Sequence, residues 1–431
     1  MLTMLDRTIP PVIQPLTEMN IQQPERRKLS NGIPLHVLCA GSEDVVRMDI
    51  LVGAGIWHQQ KSLQALFTNR MLREGTRTMN STTISERLDF YGAWIELNSS
   101  MNCNFITLYS LGKYFAQTLA VVASMIKEPV FPEEEMKVTV EMNRQQFLVN
   151  SAKVEVMARK EFNRAFFGKD HPCGRHAVLE DYDKLKTEDL EEFYRYHYHS
   201  GNCTIFLAGR ITDEIVDYVE RELGTIPWGE VSSRVPLSPI EIPFFEGKRC
   251  FVEQPGAVQS SLRIGCPMMD RPHPDYMPMK VLVTILGGYF GSRLMANIRE
   301  EKGYTYGIYS TIASFPFNGC LLIATETGNE YVEPCIREIR HELKRLQDEL
   351  VPVHELDMVK NYMIGEICRS YESPFSLSDA WIFTETAGLD SDFYIRMVET
   401  IQQVSREELQ RLAVEYFRPD NMLEVVAGKK M

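Results

Sequence analysis

The 431-residue chain lacks an excess of basic residues. It has 46 lysines and arginines against 59 aspartates and glutamates, which gives a net charge of −13. A protein that binds nucleic acid concentrates positive charge on one face, whereas a net negative field repels phosphate. The charge balance therefore excludes nucleic acid as the expected partner.

The chain also lacks a long apolar run. Its most apolar stretches, 119–126 and 281–286, are much shorter than the roughly 18 residues that indicate a membrane-spanning helix. Residues 1–14 include two prolines and two charged side chains but no continuous apolar core, so they do not resemble a secretory signal. The sequence therefore predicts no membrane span and a cytoplasmic location.

Cysteine and histidine patterns that hold metals are missing as well. The nine cysteines are odd in number and show no C-x-x-C spacing, which argues against a disulfide framework and a thiolate zinc site. The nine histidines form neither H-x-x-E-H nor H-E-x-x-H. His171 with His176, and His197 with His199, are close in sequence but have no third ligand nearby. The sequence predicts no metal in this chain.

What the chain does contain is an internal repeat. Residues 187–209 read TEDLEEFYRYHYHSGNCTIFLAG, and residues 406–428 read REELQRLAVEYFRPDNMLEVVAG. Each segment starts with acidic residues, continues as an amphipathic helix, turns at an asparagine and ends in an apolar strand closed by Ala-Gly. Residues 131–136 match 351–356 at nearly the same offset. Two matches at nearly the same offset indicate a duplication.

The repeat divides the chain into two domains of similar size. We expect an N-terminal domain at 1–230, a proline-containing linker at 231–247 and a C-terminal domain at 248–431. Strands precede helices in each half, without strict alternation of strand and helix. This order predicts an α+β fold with mainly antiparallel sheets.

Several elements can be predicted individually. Asn31-Gly32 between apolar residues predicts a hairpin, and 45–52 reads as a strand. The apolar spacing predicts a helix over 62–74 and one long helix over 133–158.

Four segments, taken in order, resemble the insulinase/pitrilysin zinc peptidases, and in particular the two-subunit processing-peptidase branch. They are the Asn31-Gly32 hairpin, the strand end VGAG at 52–55, MLREGT at 71–76 and LGGYFGSRL at 286–294. The resemblance covers nearly the whole chain. It implies two homologous domains, each with a sheet of about six strands backed by helices.

The resemblance also shows what has been lost. Active members carry H-x-x-E-H, in which two histidines hold zinc and the glutamate is the general base. At those three positions this chain has Leu66, Asn69 and Arg70, which provide no metal ligand, no general base and a fixed positive charge. The third zinc ligand of the family corresponds to Glu141, which we interpret as a surface or salt-bridged glutamate, with Arg70 as one candidate partner. The resemblance therefore implies that zinc is bound in a partner subunit.

A second motif of the family is retained. Arg299 is followed by Tyr306 seven residues later, and the resemblance implies that both reach the substrate at a zinc site, which in the two-subunit branch belongs to the partner chain. A tyrosine hydroxyl can stabilise an oxyanion, and a guanidinium can hold peptide carbonyls. Tyr304 is the alternative tyrosine if the register is off by two. The other interpretation is that Arg299 and the tyrosine only pack against a neighbouring element.

Two further segments are candidates for substrate binding. The resemblance implies an edge strand that pairs with the substrate backbone, here Trp94, Ile95, Glu96 and Leu97. The glycines Gly287 and Gly288 lie where the family's mitochondrial non-catalytic subunit has a longer loop that handles substrate; they also suit a sharp turn between closely packed helices.

The preferred interpretation is a non-catalytic subunit of a heterodimeric zinc peptidase. It would bind no cofactor itself, close a peptide-binding chamber with an H-x-x-E-H partner and supply Arg299 and Tyr306 in trans. The alternative is a catalytically silent structural or assembly protein of the same fold, like the core subunits of respiratory complexes. The sequence leaves open the peptide substrate, the identity of the partner and whether the lone chain self-associates.

Overall fold

A computed structural model describes residues 8, 21–230, 237–242 and 249–430. Most of the segment 1–14, and most of the linker expected at 231–247, lie outside these described residues. The domain boundaries drawn from the repeat stay predictions.

The described residues form two sheets. The first contains β1 (Glu25–Lys28), β2 (Pro34–Cys39), β3 (Val45–Val52), β4 (Trp94–Ser99), β5 (Asn104–Leu111) and β6 (Cys203–Gly209). The second contains β7 (Arg249–Glu253), β8 (Gln259–Met268), β9 (Thr305–Phe315), β10 (Asn318–Gly328) and β11 (Leu423–Gly428).

The two sheets have corresponding strand orders. The first runs β1-β2-β6-β3-β5-β4 and the second β7-β11-β8-β10-β9. In each sheet one pair is parallel, β2 with β6 and β7 with β11, and the other pairs are antiparallel. This confirms the predicted α+β class with two mainly antiparallel sheets, of six and five strands, and the matching order supports the duplication.

Helices surround both sheets. In the first half they are α1 (Gln64–Met71), α2 (Ser81–Phe90), α3 (Phe115–Lys127), α4 (Glu133–Ser151), α5 (Val154–Phe167), α6 (Leu179–Lys184), α7 (Thr187–His197) and α8 (Asp213–Val219). In the second half they are α9 (Tyr276–Val283), α10 (Val332–Asp348), α11 (Val353–Arg369), α12 (Pro374–Thr386), α13 (Phe393–Gln403) and α14 (Arg406–Tyr416). Three π-helical segments span Glu220–Gly224, Thr284–Gly288 and Met295–Glu301. Among the described helices, none is both long and apolar enough to cross a membrane.

Local sequence signals placed several of these elements correctly. The Asn31-Gly32 turn joins the antiparallel strands β1 and β2, and Gly32 has a φ of +94°, which favours glycine. The strand predicted at 45–52 is β3, and the helix predicted at 62–74 contains the shorter α1.

The single long helix predicted over 133–158 is wrong. It is two helices, α4 and α5, because Lys153 between them has an extended backbone with φ −78° and ψ 130°. After this break, α5 packs its Phe162 and Phe166 against Leu423 and neighbouring residues of the second sheet. After the break, α5 thus packs on a sheet that is distant in sequence, a contact that local periodicity cannot show.

The two halves exchange helices reciprocally. Helix α5 of the first half covers the second sheet, whereas α12 of the second half packs its Leu377, Trp381 and Ile382 on Leu38 and Phe206 of the first sheet. Trp381 is buried, and its indole N–H donates to the carbonyl of Gln22 at 2.9 Å. Each sheet is thus covered on one face by helices of its own half and on the other by a helix of the opposite half.

Candidate functional site

Helix α1 carries the three positions that correspond to the zinc motif. Asn69 is fully buried, and its amide donates to the carbonyls of Asn98 at 2.9 Å and Phe105 at 3.0 Å. Its side-chain oxygen accepts a hydrogen bond from the Tyr198 hydroxyl at 3.0 Å. Asn69 therefore joins α1 to strands β4 and β5, and both polar atoms of its side chain are hydrogen-bonded within the protein.

Arg70 lies next to Asn69 but faces a cleft. Its side chain is half-buried and donates to the side-chain oxygen of Asn143 on α4. Burial lowers the pKa of Arg70, and the proximity of Tyr182 opposes this effect. Leu66, one turn earlier, is partly buried against an apolar cluster that includes Phe67 and Phe131.

Glu141 is an exposed glutamate on α4, as interpreted, but Arg70 is not its partner. Its carboxylate accepts from Gln145 at 2.6 Å and lies 3.6 Å from Arg144. Both partners lie on the same helix, three and four residues further on, where a side chain of α4 reaches most easily. Arg70 instead contacts Asn143 of that helix.

These residues do not fit a zinc ion. Leu66 has no donor atom, the amide of Asn69 is occupied by three hydrogen bonds and Arg70 is a cation. The described residues also contain no group of three or more histidine, cysteine, aspartate or glutamate side chains suited to a metal. His197 and His58 have their ring centroids 5.6 Å apart, but they belong to no such group.

In place of a metal site there is a cleft, which we call the α1 cleft. It has a volume of about 660 Å³ and lies between α1, α2, α4 and the edge strand β4. Its lining includes Arg70, Arg73, Glu74, Glu86, Asp89, Leu97, Thr139, Met142 and Asn143.

Strand β4 forms the edge of the first sheet, as the resemblance implied. In the described part of the chain it pairs only with β5. Trp94 is 64% exposed and its indole N–H donates to Glu96 at 3.2 Å, whereas Ile95 is buried and Leu97 lines the α1 cleft. The strand therefore has an edge at which an extended peptide can pair, and peptide binding by these four residues stays a prediction.

Arg299 and Tyr306 lie together on the second half. Arg299 belongs to the π-helical segment that ends at Glu301, and Tyr306 follows on β9. The guanidinium carbon of Arg299 lies 5.5 Å from the centre of the Tyr306 ring, and that tyrosine is 92% exposed. A tyrosine so exposed does little for the core, so the geometry favours a role at a surface.

Tyr304 has a different environment. Its ring stacks on Tyr331 with centroids 4.9 Å apart and is partly buried against the core of the second half. Gly303, with a φ of +65°, separates the π-helical segment from β9 and sets the register of both tyrosines. Tyr306 is therefore the better placed of the two to meet a ligand.

Sequence reasoning did not single out Phe290. Its ring is 62% exposed, and the Arg299 guanidinium lies 4.5 Å from its centre, so Arg299 lies close to two aromatic rings. We call Phe290, Arg299 and Tyr306 the aromatic clamp. The only sequence signal for a role of Phe290 is its position as an aromatic residue in a glycine-containing turn.

Gly287 and Gly288 serve close packing. A Cβ atom on Gly287 would lie 2.7 Å from the backbone nitrogen of Ser310, and one on Gly288 would lie 3.1 Å from the side chain of Thr284. The interpretation as a sharp, close-packed turn fits these contacts. A substrate role for the two glycines stays a prediction.

The chain is similar to members of a peptidase family, some of which are described as inactive. Residues 184–363 match the model described as "Peptidase M16 inactive domain". The chain is 22% identical to "Uncharacterized zinc protease YmxG" of Bacillus subtilis, over 94% of this chain and 98% of that one. It is 23% identical to "Non-peptidase homolog YmxG" of Helicobacter pylori, over 81% and 80% of the two chains.

Solved structures share the fold. A peptidase M16 inactive domain from Pseudomonas fluorescens superposes with a TM-score of 0.84 at 22% identity, covering 95% of this chain and 98% of that one. A chain of Complex III2 from Candida albicans gives a TM-score of 0.72 at 14% identity, over 94% and 95%. The family match and the named relatives confirm the resemblance to insulinase/pitrilysin peptidases, and the structures confirm the fold.

Proposed function

We propose that this chain, whose residues 184–363 match the model described as "Peptidase M16 inactive domain", is the non-catalytic subunit of a heterodimeric zinc metallopeptidase. Its partner would be a homologous chain with H-x-x-E-H, and the two would enclose a peptide. This chain would contribute the aromatic clamp to the partner's zinc site.

The observation that carries this proposal is the exposure of the aromatic clamp. Phe290 and Tyr306 leave most of their surface to solvent, and in the described residues the Arg299 guanidinium has no ion pair within 4 Å. Exposed aromatic rings beside a cation are unfavourable to leave in contact with water. They are typical of a surface that binds a ligand or a partner. Within the complex, Arg299 would donate to peptide carbonyls and Tyr306 to the oxyanion formed during hydrolysis.

The zinc content and peptidase activity of the purified chain test the first half of the proposal. We expect no stoichiometric zinc and no peptide cleavage from the chain alone, because its α1 residues do not fit a metal. We expect cleavage when the H-x-x-E-H chain is added. One tightly bound zinc with peptidase activity in the lone chain would contradict the proposal.

The second candidate function is that of a structural or assembly protein. It is favoured by the superposition on a chain of Complex III2 from Candida albicans, which shows that the fold also occurs in a protein of that complex. Affinity purification of the full chain from its own cells distinguishes the two functions. Recovery of an H-x-x-E-H chain in equal amount supports the peptidase subunit, whereas recovery of a membrane complex without such a chain supports the alternative.

A further inference from the structure

The helices of the second half enclose a cavity that the subunit role does not use. Its volume is about 620 Å³, and its walls come from α9, α11, α12 and α13. We call it the four-helix cavity; Tyr276, Met363, Ala380 and Met397 each line it from a different helix. Protein interiors leave few voids larger than a water molecule, whereas sites for small molecules measure about 300–1,000 Å³. The size of the cavity is therefore that of a ligand site.

The walls of the four-helix cavity are apolar and adaptable. Three methionines, Met277, Met363 and Met397, line it together with the rings of Phe383 and Phe393. The unbranched side chain of methionine can change its shape to fit different apolar surfaces. These walls therefore suit an apolar ligand.

Hydroxyl groups of the walls are bonded to the protein itself. The Tyr394 hydroxyl donates to the carbonyl of Ala380 at 2.8 Å, and the Thr284 hydroxyl donates to the carbonyl of Lys280 at 2.8 Å. The Ser370 hydroxyl donates to a carbonyl one turn earlier in α11, also at 2.8 Å. An ordered water needs two to four polar partners, and these groups are already engaged. An apolar molecule therefore fills this space more favourably than water does.

One wall of the cavity has an irregular backbone. Thr284 and Gly288 both line it, and they are the first and last residues of the π-helical segment Thr284–Gly288 that continues α9. π-Helical turns are rare and occur frequently at functional sites. The backbone thus gives an indication of a ligand site that is independent of the cavity's size.

The open end of the cavity carries charges of both signs. Lys280 and Asp379 are exposed there, and Glu366 lies beside them. Asp379 pairs with Arg47 at 2.6 Å, and Glu366 pairs with Arg369 at 2.7 Å. A charged ligand would be attracted by one sign and repelled by the other, so the open end favours neither an anion nor a cation.

We propose that the four-helix cavity binds an uncharged apolar small molecule with one polar end. Its saturated chain would lie among the methionines and aromatic rings, and its polar end would remain in water at the open end beside Lys280 and Asp379. This binding goes beyond the proposed subunit role, since it needs neither zinc nor a partner chain.

Isothermal titration calorimetry of the full chain with primary alcohols from 1-pentanol to 1-octanol tests the proposal. Each added methylene group should tighten binding by about 4-fold, because it is transferred from water to the apolar walls. Octanoate and octylammonium have the same chain with a charged end. Both should bind more weakly than 1-octanol, since a charge gains nothing at the open end and loses water there.

Variants assign the binding to the cavity. Ile367→Trp places a larger side chain in the cavity from α11 and should weaken the binding of 1-octanol by about 10-fold or more. Ile395→Trp makes the same substitution at an exposed position of α13 and should leave the affinity unchanged. Ala380→Phe fills the cavity from α12 and should act like Ile367→Trp, so the assignment does not depend on the folding of one variant.

Four results would overturn the proposal. They are the absence of alcohol binding, an affinity that does not depend on chain length, tighter binding of either charged compound, and an unchanged affinity in both Ile367→Trp and Ala380→Phe. Binding that appears only in a chain starting at residue 21 would also overturn it, because the cavity would then belong to the chain's own N-terminal residues. None of these results bears on the proposed subunit role, which is measured by peptide cleavage in the presence of the partner.

Discussion

Asn69 occupies the position that corresponds to the general base of H-x-x-E-H, but its hydrogen bonds connect structural elements of the fold. Its three hydrogen bonds connect α1 with β4, β5 and Tyr198 in the buried interior. Asn69→Ala should lower the free energy of unfolding by about 1–3 kcal/mol, because two carbonyls and a hydroxyl lose their partner. Denaturant unfolding measures this change, and Arg73→Ala on the exposed side of the same cleft is the control, with an expected change below about 0.5 kcal/mol. Equal stability of the two variants would refute a structural role for Asn69.

We expect His197 to contribute to a pH dependence of the protein's stability. Burial, together with the nearby His58 and His199, lowers the pKa of His197 from 6.5 to about 4. Between these values the unfolded chain binds a proton that the folded chain does not, so stability is full above pH 6.5 and falls as the pH decreases towards 4.

The change from pH 8 to pH 5 should cost about 2 kcal/mol for this histidine. His197→Phe should reduce this pH dependence of the free energy of unfolding, whereas the exposed His354→Gln should leave it unchanged. A pH dependence identical in His197→Phe and the unmodified chain would show that another group is responsible.

At the scale of elements, α5 and α12 connect the two halves, because each packs on the sheet of the opposite half. Trp381 of α12 is a buried residue of the second half that packs on the first sheet. Trp381→Ala should lower the free energy of unfolding by about 3–5 kcal/mol, because it leaves a large cavity beneath β2 and β6. Hydrogen exchange should become faster in those two strands, although the substitution lies more than a hundred residues away in sequence.

The exposed Ile395→Ala on α13 is the control for this experiment, and it should change neither stability nor exchange in the first sheet appreciably. Faster hydrogen exchange confined to the second sheet would contradict the packing of α12 on the first sheet.

The sequence could predict elements whose signals are local. Asn31-Gly32 marked a hairpin, the apolar run at 45–52 marked a strand, and the repeat indicated two similar units. It could not predict the break before Val154, since residues 150–153 contain neither glycine nor proline and the helix after the break packs on a sheet distant in sequence. The sequence also did not indicate Phe290, because its contact with Arg299 depends on the geometry of a turn that the local sequence does not determine.

At the scale of the whole molecule, the two halves depend on each other. A fragment that ends at residue 230 would lack α12 and expose Leu38 and Phe206 of the first sheet to water. We expect this fragment to show no cooperative unfolding transition by circular dichroism, and to regain one when mixed with the fragment 231–431. Cooperative unfolding of the isolated fragment 1–230 would show that the expected N-terminal domain is independent after all.

In the proposed function, this chain acts at a zinc site that it does not itself contain. The aromatic clamp is the part of the molecule that would reach that site, and Tyr306→Phe removes only the hydroxyl while keeping the ring beside Arg299. The most direct measurement is therefore kcat/KM for peptide cleavage by the complex of this chain with its H-x-x-E-H partner. Tyr306→Phe should lower it by about 10- to 1,000-fold with unchanged zinc content, and Tyr304→Phe should not. Unchanged cleavage in Tyr306→Phe would contradict the central claim.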